Sequence, residues 1–183
     1  ESYGQRVQTV NRLDEHCLAD CSNVVFLCGW ESAPENAEAL LSEALGVVQT
    51  LAIHSGKKPR LWFVTRGGAL DSDLRTSCSP NPAQAALWGF SRVVMNEHPE
   101  LGCTLIELAC DPAAADTLDR LQNELLRPDG VNEVMLADSG RYALVLREET
   151  DRVVPHASEG ERFKLDFHLP GQLRNLVWLP QTT

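Results

Sequence analysis

Two hydrophobic periods alternate along this chain. Val24-Val-Phe-Leu-Cys-Gly29 is a short, unbroken apolar run closed by glycine, the pattern of a strand buried on both faces of a parallel sheet. Ala37, Leu40, Leu41, Ala44, Leu45, Val48 and Leu51 then recur at spacings of three and four, which marks one face of a long helix ending near His54-Ser-Gly56. Leu61-Trp-Phe-Val-Thr65 is a second buried-strand run, closed by Gly67-Gly68 and a polar loop rich in serine and aspartate. Pro82 suits the first position of a second helix, with Ala85, Ala86, Trp88, Gly89, Val93 and Met95 packed around it and Pro99 as its stop. Thr104–Leu108 reads as a third strand, Leu118, Leu121, Leu125 and Leu126 as the stripe of a third helix, and Glu133–Ala137 as a fourth strand.

Strands alternating with helices predict an α/β fold, with a mainly parallel sheet, right-handed crossovers and helices on its faces. Asp138-Ser-Gly-Arg141 forms a tight turn into Tyr142–Leu146, an added edge strand or hairpin partner. The first domain therefore covers residues 1–150. Residues 151–162, with Pro155 and Gly160, read as a linker, and Phe163-Lys-Leu-Asp-Phe-His-Leu169 alternates like a half-exposed strand in a β extension over 163–183.

A length of 183 residues allows one compact domain and a short appendage. With 43% hydrophobic and 23% charged residues the chain has the composition of a folded soluble protein. Sixteen Lys and Arg against 26 Asp and Glu give a net charge of −10 without a basic stripe, which argues against nucleic acid as a partner. The longest apolar runs, Val24–Cys28 and Ala143–Leu146, fall far short of the ~20 residues of a membrane span. The first residues carry no basic, apolar leader, and the abrupt ends are those expected of a piece of a longer chain. Cys17, Cys21, Cys28, Cys78, Cys103 and Cys110 are scattered through the elements like thiols rather than a disulfide framework, which fits a reducing cytoplasm. His16-Cys17 with Cys21 and Cys28 is the one crowded stretch, and it lacks the Cys-x-x-Cys pairs of zinc sites, so no metal is expected.

Dinucleotide binding is the first chemistry to test in such a chain, because a glycine-rich turn brings backbone amides and a helix N-terminus to the pyrophosphate. After the first strand, however, the turn is Gly29-Trp-Glu-Ser-Ala-Pro34, with bulk at Trp30 and negative charge at Glu31. After the second, Arg66-Gly-Gly-Ala69 lacks the G-x-G-x-x-G spacing and reads as a flexible turn. A short-chain reductase needs a tyrosine with Lys or Asn four residues on. Tyr3 is followed by Val7 and Tyr142 by Leu146, so neither qualifies, and Tyr142 reads as an amphipathic strand residue. There is no G-x-S-x-G elbow and no phosphate loop of the G-x-x-x-x-G-K-[ST] form; Ser91 lies inside a helix. Gly56-Lys-Lys58 reads as a solvated helix terminus, and Glu38 and Glu43 as a solvated face. No catalytic, cofactor-binding or metal-binding residue is expected.

Pro59-Arg-Leu-Trp-Phe-Val-Thr-Arg-Gly67 together with Pro82-Ala-Gln-Ala-Ala-Leu-Trp-Gly-Phe-Ser-Arg-Val-Val-Met-Asn-Glu-His-Pro-Glu-Leu101 resembles the structural, non-catalytic subdomain of type I polyketide synthase ketoreductases. That resemblance implies a truncated Rossmann-like fold without NADPH, whose partner half carries the cofactor and the catalytic residues. Phe163-Lys-Leu-Asp-Phe-His-Leu-Pro-Gly-Gln-Leu-Arg-Asn-Leu-Val-Trp178 is similar to the opening of the enoylreductase domains of such synthases, which are inserted between the two ketoreductase halves.

The expected function is thus a scaffold that stabilises the NADPH-binding catalytic half and positions the enoylreductase of the same polypeptide, with no activity of its own. The parent would be a homodimeric cytoplasmic multienzyme that reduces β-ketoacyl and enoyl groups on chains held by an acyl carrier protein, with NADPH in both reducing domains. Two other readings are a pseudo-ketoreductase half of a fatty-acid-synthase-like or fungal-type megasynthase, and a stand-alone small-ligand binder using Trp30 and Trp62 at strand ends. Because Trp88, Phe90, Val93, Val94 and Met95 cover more than one side of their helix, one side is expected to meet the sheet and another, with Phe90, the catalytic half.

Overall fold

The computed structural model describes residues 6–27, 29–30, 33–69, 79–109, 115–145, 162–167 and 176–181. They form two compact units, 1–145 and 146–183. In the first, a short helix α1 (Glu15–Leu18) precedes β1 (Asn23–Phe26), α2 (Ala37–Ile53), β2 (Arg60–Thr65), α3 (Pro82–Glu97), β3 (Thr104–Leu108), α4 (Ala115–Leu126), β4 (Glu133–Ala137) and β5 (Gly140–Ala143). In the second, β6 (Arg162–Phe167) and β7 (Leu176–Gln181) pair antiparallel, with Arg162 opposite Gln181 and Phe167 opposite Leu176.

The strands of the first unit lie in the order β1-β2-β3-β4-β5. The first four run parallel and β5 turns back antiparallel on β4, with Met135 opposite Tyr142 and Leu136 opposite Arg141. Alternation along the strands sorts their side chains into two layers. Leu61, Phe63, Leu105 and Met135 face α2 and α3, where Leu40, Ala44, Val48, Leu51, Leu87 and Val94 meet them. Trp62, Val64, Ile106, Leu108, Val134 and Leu136 face the opposite way, and there α4 contributes Leu121 and Leu125. Of the expected α4 stripe, Leu118 and Leu126 are exposed instead.

This division of the helices has a topological consequence. Each step from β1 to β4 moves the same way across the sheet, yet α2 and α3 lie on one face and α4 on the other. The third crossover is therefore opposite in hand to the first two, so right-handedness does not hold throughout, although it is the strong general rule.

Local chemistry sets the helix ends. Asn81 caps α3 by accepting from the amides of Ala83 (3.0 Å) and Gln84 (3.2 Å), and Pro82 follows at the first position. Phe90 lies three residues after Leu87 and four before Val94, which turns it toward the sheet, where its ring meets that of Phe63 edge-on at 6.2 Å. Phe90 is thus half-buried against the core rather than outward as expected, and Val93, 48% exposed, is the more outward apolar residue of the helix.

At the end of α2, Gly56 and Lys57 are exposed as expected of a solvated terminus, whereas Lys58 is half-buried against the negative end of the helix. Its ammonium folds back onto the carbonyls of Leu51 (2.8 Å), Ala52 (2.6 Å) and His54 (2.7 Å) at the carboxyl end of the helix, where Leu51 also accepts from the His54 amide (3.3 Å). Lys58→Met keeps the aliphatic stem and removes these bonds, so it is expected to lower unfolding stability by about 1–2 kcal/mol in urea titration. An unchanged midpoint would show that water replaces the ammonium without loss.

Candidate functional site at the carboxyl edge of the sheet

Ligands of open α/β sheets bind where the connections from two adjacent strands depart to opposite faces, because the diverging loops leave a crevice between them. Here that point lies between β2 and β3, since α3 covers one face and α4 the other. The structure fills this place from within.

Glu107, wholly buried near the end of β3, sits beside Thr65 in the sheet register. Its carboxylate accepts from the Thr65 hydroxyl (2.7 Å) and from the amides of Gly67 (2.5 Å), Gly68 (3.2 Å) and Ala69 (3.3 Å). Four donors match the acceptor capacity of one carboxylate. Arg66-Gly-Gly-Ala69 is accordingly a loop wrapped on an internal anion rather than a loose turn. Its glycines are required there: Gly67 has φ +77°, and a Cβ on Gly68 would lie 2.8 Å from the backbone oxygen of Gln84.

Neighbouring groups are committed in the same way. The Trp30 indole donates to the Val64 carbonyl (2.9 Å), and the Trp30 carbonyl accepts from the Asn81 side chain (3.4 Å). The Arg66 amide donates to Gln84 Oε1 (3.2 Å). Asn81 itself occupies first-turn amides of α3 that a phosphate would otherwise approach. Trp30 therefore supplies the expected bulk, whereas Glu31 lies outside the described residues.

Other residues singled out in the sequence have structural surroundings. Trp62 is fully buried, donates to Asn23 Oδ1 (2.9 Å) and lies under the Arg60 guanidinium, 4.7 Å from its ring centre, so it offers no face to a ligand. Ser91 is buried within α3 and donates to the Leu87 carbonyl. Tyr142 packs on the core and its hydroxyl bonds Ser139. Burial pushes the Cys103 thiol up to about 12, away from the thiolate form that nucleophilic attack requires. A hydrogen bond with Asp14 raises that of Cys17. Among the described residues no three of His, Cys, Asp and Glu gather as a metal site; Cys28, Cys78, Cys110 and Tyr3 lie outside them. The role of Glu107 was not anticipated, although one charged residue inside the otherwise apolar run Thr104–Leu108 was a usable signal.

Comparison with known families supplies the identity of this fold. Residues 4–152 match the family described as the Rossmann fold domain of the polyketide synthase extender module SpnB. The chain belongs to this family. Among curated relatives, one of the subunits of the phenolphthiocerol/phthiocerol polyketide synthase of Mycobacterium tuberculosis is 36% identical over 118 residues, which is 61% of this chain. The pikromycin polyketide synthase component PikAII of Streptomyces venezuelae is 36% identical over 124 residues, or 66% of the chain. The matched parts amount to 5% and 3% of those two proteins, so this polyketide synthase Rossmann domain corresponds to a small part of each. No described helix is long and apolar enough to cross a membrane.

Proposed function

We propose that this polyketide synthase Rossmann domain is the structural half of a ketoreductase, without cofactor or catalysis of its own, and that it supports an NADPH-binding catalytic half of the same polypeptide. The observation that carries this reading is the closed switch point: the Gly67–Ala69 amides are taken by Glu107 and the adjacent strand end by Trp30. A sheet whose binding crevice holds its own side chains suits a role as a surface on which other domains are built. The antiparallel β6–β7 pair is read, from the resemblance of its segment, as the opening of an enoylreductase. In that arrangement the parent is a homodimeric cytoplasmic synthase that draws substrates from its acyl carrier protein.

The outward residues of α2 and α3 suit such a role, with Leu45, Ile53 and Val93 exposed on helices whose other faces meet the sheet. The test is assembly in trans with the catalytic half. Val93→Asp is expected to keep the fold and weaken assembly at least about tenfold, as loss of a central apolar contact does. Phe90→Asp is expected to destabilise the chain itself, because its ring packs on Phe63. NADPH titrated into the chain alone should give no fluorescence change. Micromolar NADPH affinity, or full-strength assembly by folded Val93→Asp, would overturn the reading.

A further inference from the structure

The loop after β2 presents three successive backbone amides, Gly67, Gly68 and Ala69, to one carboxylate, with the Thr65 hydroxyl as a fourth donor. Consecutive amides converging on one point form a concave anion site, the device by which nucleotide-binding loops hold phosphate. In this chain the anion comes from β3, 40 residues beyond Gly67 in sequence. The next residue after Thr65 adds a second observation: Arg66 Nε is buried and has no hydrogen-bond partner among the described residues, so Glu107 does not consume the loop's cation.

We propose that Thr65–Ala69 is a complete anion-binding site whose resident ligand is the Glu107 side chain, and that shortening this side chain yields a site for a small free carboxylate such as formate. The site depends only on the geometry of the loop, and it would survive if the scaffold role failed. Glu107→Ala removes the acceptor and leaves four donors converging on the vacated space, where a formate ion presents the same two oxygens. Glu107→Gln fills that space with a neutral group of the same size and serves as the control.

Thermal unfolding of wild type and both variants would be followed as formate replaces chloride at constant ionic strength. At about ten times its dissociation constant, formate should raise the midpoint of Glu107→Ala by about 3–5 °C, and that of wild type or Glu107→Gln by less than about 1 °C. Crystals of Glu107→Ala grown with formate should hold it against the three amides. If this variant folds only when formate is present, that rescue is equally the expected result. Equal responses in all three proteins, no response in Glu107→Ala, or failure to fold with or without formate would each overturn the assignment.

Discussion

Phe63→Ala is expected to lower the unfolding free energy of the first unit by about 3–5 kcal/mol, the range for truncating a buried aromatic. Phe63 is fully buried at the centre of β2. Its ring meets Phe26 of β1 edge-on at 5.6 Å and Phe90 of α3 at 6.2 Å, so one side chain joins two strands and a helix. Alanine would leave a cavity that neither the sheet nor α3 can close without abandoning its own contacts. The measurement is urea unfolding, with a lowered midpoint at unchanged slope. Phe90→Ala, which truncates a half-buried ring, should cost less. A loss below about 1 kcal/mol for Phe63→Ala would mean that the site collapses and that the aromatic trio is dispensable.

Arg141→Met carries the second large effect, a loss of about 2–3 kcal/mol, below the full cost of breaking a buried pair because the guanidinium is partly exposed. Arg141 on β5 bonds both carboxylate oxygens of Glu124 on α4, at 2.6 and 2.8 Å, and reaches Asp129 at 3.0 Å. The Glu124 side chain is only 7% exposed, so removing its partner strands a charge between helix and sheet. Adding Glu124→Met to the variant should recover part of the loss, because no charge then stays unpaired, and a double-mutant cycle measures the coupling. Strict additivity would deny it. Asp129 gives the pair an acid limit. Its carboxyl is held below the usual range by the Val131 amide first and Arg141 next. Its contribution is therefore present above the unfolded value and lost as pH falls through the lowered folded one.

Much of the fold was legible because its signals are local. Thr104–Leu108 and Glu133–Ala137 are strands with the bounds their apolar runs predict, and α3 starts at Pro82 and stops before Pro99. The elements that departed from expectation are those with few internal constraints. α1 has four residues, too few to show a helical period, and β5 spans Gly140–Ala143 where Tyr142–Leu146 was expected. Its position is set by pairing with β4, which no pattern inside the segment records.

By itself the sequence determined the α/β class, the succession of strands and helices, and the want of a glycine-rich phosphate turn, since each follows from side-chain period, caps and spacing within a few residues. Tertiary structure alone decided the rest. A period of 3.6 shows that a helix has an apolar side but not which face of the sheet receives it, so the opposite placement of α4, and with it the switch point between β2 and β3, was beyond local reading. The same limit hid the inward turn of Phe90 and the fold-back of Lys58. It applies most strongly to Glu107, whose four donors lie some 40 residues earlier in the chain: a buried carboxylate and a glycine loop become one closed site only when parallel pairing sets Thr65 beside Glu107.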